Sequence, residues 1–473
     1  MGHEAPMNST RHQEVLRRIE PHGQTHVVAH LKRLDAAGRA RLLEQLEAID
    51  FGHLQRLFQG DKDQADWADM AQRAESPPAV RLDGQGNRFS PTAARARGER
   101  ALREGKVATL LVAGGQGTRL GFEHPKGMFP IGPVSEAPLF KILLEKVRAA
   151  ADRYGRRVPL FLMTSPATHD ETVAFLAENN RFGLPEEDLF IFCQGTMPAV
   201  DAKTGQVLLA EPDELFASPD GHGGMLAGLA RAGGFEELRK RGIEQIFYFQ
   251  VDNPLSQICD AQFLGYHLLE ESELSTQVIA KTRPAEKVGN VVSIDGQVRI
   301  IEYSDLPAEA GERRRPDGGL ELWAGNTAIH IFDVAFLERV RGDEQALPFH
   351  RAHKAVPYID EQGRRVEPSQ PNAIKFERFI FDLLPAARRA IVVEVDPAEG
   401  FAPVKNAPGA ATDSPEIVRR MLSDLYRRWL TAAGAQVAEG VNVEISPRFA
   451  LDAEETARKI KPGTQVTRST YFG

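Results

Sequence analysis

The chain has 473 residues, and at roughly 150 residues per domain it has the length of about three domains, which excludes a small module. With 42% hydrophobic and 26% charged residues it reads as an ordinary globular protein, neither disordered nor fibrous. Lys and Arg number 58 against 66 Asp and Glu, a net charge of -8 that advertises no nucleic-acid or anionic-membrane partner, so any phosphate binding must be local.

The two cysteines, Cys193 and Cys259, both lie in apolar stretches and supply neither a disulfide framework nor a cysteine-based zinc site, which fits a reducing compartment. The start of the chain, with His3, Glu4, Arg11, His12 and Glu14, lacks the apolar core of a signal peptide. No later segment approaches the ~18 apolar residues that span a bilayer, so the expectation is a cytoplasmic protein with no membrane partner.

From Glu14 to Gln59 apolar residues recur at three and four, as in Val27, Val28, Leu31 and Leu34, then Leu42, Leu43, Leu46 and Ile49, which predicts amphipathic helices packed on a larger body. Turn chemistry follows: Ser76-Pro77-Pro78, Asp83-Gly84-Gln85-Gly86-Asn87 and Ser90-Pro91. After Lys106 come short runs rich in Val, Ile, Leu and Phe: Val107 to Ala113, Val158 to Met163, Leu189 to Cys193, Ile246 to Val251 and Thr276 to Ala280. Each predicts a strand buried on both faces. Helical segments lie between them, Phe140 to Ala151, His169 to Asn179 and Gly224 to Lys240, and this alternation predicts an α/β fold with a mostly parallel sheet flanked by helices. Near the end, a helix over Pro415 to Trp429 and a period-two pattern at Val441, Val443 and Ile445 predict a small C-terminal domain. The expected regions are a helical one over 1–100, an α/β domain over 101–406 and the C-terminal one over 407–473.

The strongest local signal is a buried strand emptying into Ala113-Gly114-Gly115-Gln116-Gly117-Thr118-Arg119-Leu120-Gly121, with Pro125-Lys126-Gly127 close behind. Glycines there allow positive φ and close backbone approach, and successive N–H groups can cradle phosphate oxygens. Arg119 and Lys126 add mobile positive charge. A dinucleotide fingerprint needs its third glycine where Leu120 stands, and a P-loop needs Gly-Lys-Ser/Thr; neither is present. Asp252 follows the run Ile246 to Val251 at the carboxyl end of a predicted strand, where open α/β sheets place ligands; it reads as a Mg²⁺ carboxylate or as a turn residue capping its own backbone. Gln194 ends another strand and offers a donor and an acceptor, as a uracil edge requires, although a buried amide satisfied by backbone has the same sequence. The turn Pro219 to Gly224 is dense in glycine, which suggests flexible backbone near a substrate. Histidines are scattered without zinc-ligand spacing.

Gly114 to Gly121 with Pro125-Lys126-Gly127-Met128 resembles the signature loop of the eukaryotic-type UDP-N-acetylhexosamine pyrophosphorylases, within the wider UDP-sugar pyrophosphorylase family. The resemblance continues in order through Gln194-Gly195, Pro219 to Gly224, Val251-Asp252-Asn253, Val288-Gly289, Glu302-Tyr303, Ala324-Gly325-Asn326, Asn372-Ala373-Ile374-Lys375 and Pro403-Val404-Lys405-Asn406, covering residues 100–410. It implies a Rossmann-like, GT-A-like nucleotidyltransferase domain. It implies catalytic roles for Arg119, Lys126 and Lys405, nucleotide contacts from Ala113, Gly114, Gly115, Gln116, Gly117, Gln194, Gly221 and Lys375, and sugar contacts from His222, Gly289, Glu302, Tyr303 and Asn326. Asp252 is then the Mg²⁺ ligand.

The implied reaction converts UTP and a hexose 1-phosphate to a UDP-sugar and pyrophosphate, with UDP-N-acetylglucosamine the first expectation. His222 departs from the pattern, since the N-acetylhexosamine branch resembles Asp-Gly-Asn-Gly-Gly there, and histidine is similar to the glucose and general UDP-sugar branches. UDP-glucose, UDP-galactose or a broad set of UDP-sugars is therefore the alternative product. A non-catalytic UDP-sugar-binding protein is a distant alternative, opposed by the retained Arg119, Lys126, Asp252 and Lys405.

Overall fold

The apolar runs form strands, most of them buried on both faces; Leu189–Cys193, at the edge of the sheet, is mostly half-buried, against expectation, because it has a neighbouring strand on one side only. In the computed structural model, which describes residues 10–60, 67–343 and 345–473, Val107–Val112, Leu160–Thr164, Leu189–Cys193, Gln245–Gln250 and Leu274–Ala280 all enter one ten-stranded sheet. Its order is Ala79–Val80, Ala390–Glu394, Leu274–Ala280, Ala324–Asp333, Gln245–Gln250, Val107–Val112, Leu160–Thr164, Leu189–Cys193. Along this path Ala324–Asp333 alone runs antiparallel to its neighbours. A hairpin of Asn290–Ile294 and Gln297–Ile301 hangs from it. The mostly parallel α/β sheet flanked by helices is thus present. The chain divides into two compact units, one of Met1–Asp66, Gly195–Gly224 and Leu347–Ile380, the other of Trp67–Gln194, Met225–Ala346 and Phe381–Gly473. His3 and Glu4 lie outside the described residues.

The smaller unit gathers the N-terminal helices. Thr10–Ile19, Val27–Arg33, Ala36–Glu47 and Phe51–Gln59 turn their apolar residues into a core with Val200, Ile374 and Phe376, and the last two of these helices begin at Asp35 and Asp50, whose carboxylates accept the Gly38 and His53 amides. Strands Val200–Asp201, Ala373–Glu377 and His350–Lys354 form a small antiparallel sheet in the same unit.

In the larger unit, Pro91–Arg103 crosses Ala261–Leu269 at very close range: a Cβ on Gly98 would stand 1.9 Å from the Ala261 carbonyl oxygen, and one on Gly265 1.6 Å from that of Ala94. The helix expected over Gly224 to Lys240 is two, Met225–Arg231 and Gly234–Lys240, because Gly233 between them adopts φ 77°. Residues of Pro415–Ala432 and Val443–Ile445 share the main core, and Glu444 is 3% exposed, accepting from Val134 N, Ser135 N and Ser135 Oγ at 2.6–2.8 Å. Among the described residues no helix is long and apolar enough to cross a membrane.

Candidate active site

The glycine-rich loop leaves Val107–Val112 at the carboxyl end of the sheet, between its partners Leu160–Thr164 and Gln245–Gln250. Its glycines serve different ends. Gly114, Gly115 and Gly117 all have ordinary negative φ, and only Gly121 takes the left-handed value, φ 68°, so the expected need for positive φ holds at the loop's end alone. A Cβ on Gly117 would stand 2.7 Å from the Phe122 carbonyl, and one on Gly114 3.1 Å from Gln194 Oε1. A Cβ on Gly115 would meet nothing within 4 Å, so the side-chain side of this residue is open. Ser165 Oγ ties the loop down on the Gly114 carbonyl at 2.8 Å, and Lys126 N bonds the Gly115 carbonyl at 3.0 Å. Gln116 and Arg119 are exposed, whereas Ala113 and Gln194 are buried. Gln194 and Gly114, two candidates 80 positions apart in sequence, therefore meet.

Positive charge collects beside this loop. Lys126, half-buried in the turn Lys126–Met128, has Nζ 3.5 Å from the Val404 carbonyl. Burial holds its ammonium below the ordinary lysine value, Asp252 opposes that shift, and Lys405 and Arg119 add to it, which is the signature of a shared cluster. Lys405 is half-buried with Nζ 5.8 Å over Phe401. Asp252 follows Gln245–Gln250, and its carbonyl accepts the Val404 amide at 2.8 Å.

Two neighbours of this cluster escaped the sequence reading. Asn253 is 2% exposed and works as a clamp: its amide donates to the Gly400 carbonyl at 2.8 Å, and its Oδ1 accepts from Ala402 N at 3.0 Å and Leu255 N at 3.2 Å. Its place in Val251-Asp252-Asn253 was the available signal. Asp413 adopts φ 54°, and its carbonyl accepts the amides of Lys405 at 2.9 Å and Asn406 at 3.1 Å. Burial raises its carboxyl above the usual range, Lys405 opposes this and Asp252 reinforces it. In sequence Asp413 is merely the residue before a helix start at Ser414-Pro415.

Three of the residues assigned to the sugar, Gly289, Glu302 and Asn326, come together at the hairpin. The Gly289 carbonyl accepts the Asn326 amide at 2.8 Å, and a Cβ on Gly289 would stand 2.9 Å from Glu302 Oε1, so Glu302 lies directly over it. Asn326 Oδ1 is engaged by Ala328 N at 3.0 Å, where a bulge gives Ala328 φ 59°. Tyr303, next to Glu302 in sequence, is 49% exposed.

In the smaller unit, Gly221, with φ 81°, packs so closely that a Cβ would stand 2.4 Å from the Arg378 carbonyl, and one on Gly224 1.9 Å from Asp220 Oδ1. The glycine density of Pro219 to Gly224 thus has a steric cause inside the unit, in place of the backbone flexibility expected. His222 Nδ1 accepts the Ile380 amide at 3.2 Å and its ring stacks on Phe379 at 5.5 Å; burial pushes the imidazole down to about 4, so it is neutral at neutral pH. Lys375, in Ala373–Glu377, has Nζ 4.8 Å over the Phe216 ring, and burial lowers its ammonium.

Residues 53–427 match the family described as UTP–glucose-1-phosphate uridylyltransferase. The chain belongs to that family. It is 36% identical over 439 residues, 90% of this chain and 86% of the other, to human UDP-N-acetylhexosamine pyrophosphorylase-like protein 1. Against the UDP-N-acetylglucosamine pyrophosphorylase of Saccharomyces cerevisiae it is 37% identical over 368 residues, 76% of this chain and 77% of that one. Among solved structures of the uridylyltransferase family, that of the Trypanosoma brucei uridine diphosphate N-acetylglucosamine pyrophosphorylase in complex with inhibitor superposes with TM-score 0.80 at 27% identity, covering 98% of this chain and 99% of that one.

Proposed function

We propose that the protein is a uridylyltransferase making UDP-N-acetylglucosamine and pyrophosphate from UTP and N-acetylglucosamine 1-phosphate. The observation that carries this reading is that Lys126 Nζ lies 3.5 Å from the carbonyl of Val404, the residue before Lys405, and that the Val404 amide bonds the Asp252 carbonyl at 2.8 Å, beside a glycine loop whose Gly114 abuts Gln194. The relatives at 36–37% identity bear names of the N-acetylhexosamine and N-acetylglucosamine enzymes, which favours the acetylated sugar.

The reaction needs no general base. A sugar phosphate with second pKa ~6 is already ionised at neutral pH, and one of its oxygens forms a bond to the α-phosphorus of UTP as the bond to the pyrophosphate bridging oxygen breaks. The protein's work is positioning and charge stabilisation. The backbone of Ala113, Gly114, Gly115, Gln116 and Gly117 cradles the triphosphate, Gln194 reads uracil, and Arg119 and Lys126 neutralise the departing pyrophosphate. Lys405 holds the sugar phosphate, and Gly289, Glu302, Tyr303 and Asn326 meet the sugar. Gly221, Lys375 and His222 keep the expected roles, the first two toward the nucleotide and His222 toward the sugar.

Asp252 is the residue that would hold Mg²⁺. Among the described residues no group of three or more His, Cys, Asp or Glu side chains could hold a metal ion, so a cation on Asp252 would fill its other positions with phosphate oxygens and water, as Mg²⁺ does. When bound, it would supply charge to polarise the α-phosphate. That the chain has only two cysteines, Cys193 and Cys259, both in apolar stretches, supports a cytoplasmic setting.

A second reading, the same chemistry on glucose or galactose 1-phosphate, is favoured by His222 standing where the acetylated branch has asparagine. The deciding assay is pyrophosphate release from UTP and Mg²⁺ with each of the four sugar phosphates, N-acetylglucosamine, N-acetylgalactosamine, glucose and galactose, compared by kcat/KM. Preference for the acetylated sugars is expected; preference for glucose 1-phosphate would move the protein to the other branch, and no release with any sugar would end the enzyme reading.

A further inference from the structure

The loop that follows Asp252 is held from two sides. On one, Asn253 clamps it to Gly400 and Ala402, on the approach to Lys405. On the other, Lys146, on the helix Leu139–Tyr154, points its ammonium at two backbone carbonyls, those of Pro254 at 2.6 Å and Ser256 at 2.9 Å. No carboxylate takes part in either bond. Behind this side of the loop lies a cavity of about 600 Å³, lined by Lys146, Ser256, Cys259, Tyr426 and Trp429 among others. Cys259, further along the same loop, sits at φ 58°, a left-handed value that a side chain adopts only where surroundings impose it.

Pro254, Leu255 and Ser256 are buried, and the bonds from Lys146 give this packed stretch polar ties at two of its carbonyls. Charge-assisted bonds to carbonyls are the stronger kind, and an ammonium that makes them is a point anchor with several donors. Burial pushes this ammonium down to about 7.

We infer that Lys146 is a positioning residue of the transfer reaction: by fixing the backbone of Pro254 and Ser256 it sets the attitude of Asp252 toward its cation, in concert with Asn253. The inference rests on the reading that Asp252 holds the metal. Residues that orient a metal ligand without touching the metal usually change metal affinity by about 10–100-fold when lost.

The test is Lys146→Met, read with Mn²⁺ as the probe. Binding of Mn²⁺ to the full chain in the presence of UTP, followed by the electron paramagnetic resonance signal of the free ion, is expected to weaken by about 10-fold or more. The Mg²⁺ concentration for half-maximal turnover should rise in parallel, while KM for UTP moves much less. Should Lys146→Met fail to fold, Lys146→Gln, which keeps a shorter uncharged donor, carries the same measurement. A folded variant whose Mn²⁺ affinity stays within about twofold of the wild type overturns the inference. Asp252→Asn, measured alongside, separates the two readings. If it weakens Mn²⁺ binding and Lys146→Met does not, only the positioning role fails; if it leaves Mn²⁺ binding intact, the metal reading itself fails and the inference with it.

Discussion

The carbonyl of Asp252 accepts the amide of Val404 at 2.8 Å, so the candidate metal carboxylate and the candidate phosphate lysine, Lys405, are carried on neighbouring, hydrogen-bonded stretches of backbone. Lys126 Nζ lies 3.5 Å from the carbonyl of the same Val404. Three charged candidates are thereby tied to one short stretch of main chain around Val404.

Lys126→Ala removes a half-buried cation from that cluster. Turnover with UTP and N-acetylglucosamine 1-phosphate should drop on the order of 10²-fold or more, the scale of losing one preorganised charge donor. Steady-state kinetics on protein shown to be folded by circular dichroism is the check; wild-type turnover would strip Lys126 of its role.

Gly289→Ala addresses the sugar group. The new Cβ would lie 2.9 Å from both Glu302 Oε1 and Ile300 Cγ2, so Glu302 has to move. KM for the sugar phosphate should rise roughly 10-fold with KM for UTP nearly unchanged, the pattern of a lost binding contact on one substrate. Equal effects on both substrates would place Gly289 outside the sugar site.

His222→Asn tests sugar choice. Asparagine is shorter than the imidazole that stacks on Phe379 and accepts the Ile380 amide, and it offers a different donor pattern. The ratio of kcat/KM for N-acetylglucosamine 1-phosphate to that for glucose 1-phosphate should shift by about 10-fold, equivalent to ~1.4 kcal/mol. An unchanged ratio would show that His222 serves only its own unit.

Acid should destabilise the protein through His267. This ring is 1% exposed, with Nε2 2.8 Å from Gln245 Oε1 and Nδ1 2.7 Å from Ser275 Oγ, a pairing that suits the neutral tautomer. Burial pushes it down to about 3 from the ordinary 6.5. Between those values the unfolded chain binds a proton that the folded chain does not. Stability is therefore fully present above pH 6.5 and falls as pH drops toward 3, by up to ~1.4 kcal/mol per pH unit from this one group. Urea midpoints at pH 7, 6 and 5 measure the slope, which His267→Phe should reduce.

Much was legible without the fold. A strand buried on both faces must be continuously apolar, so Val107–Val112 stood out within a residue of its true ends; the half-buried edge strand Leu189–Cys193 stood out by the same apolar run, and ordered motifs marked Lys126, Asp252 and Lys405. What composition and spacing determined was the class of fold and the glycine loop, because each depends on residues adjacent in the chain; the transfer chemistry was what the resemblance of the ordered motifs implied. The tertiary structure decided the rest. That Ala324–Asp333 runs against its neighbours depends on how distant strands pair, and an apolar run carries no direction. Whether Gly117 is glycine for φ or for Phe122, whether Glu444 faces water or the amides of Val134 and Ser135, and whether Lys146 is a surface lysine or the anchor of Pro254 and Ser256, are questions about partners far off in sequence. A side chain's donors and acceptors are local; what they meet, and hence their energy and their use, is set only when the chain has folded.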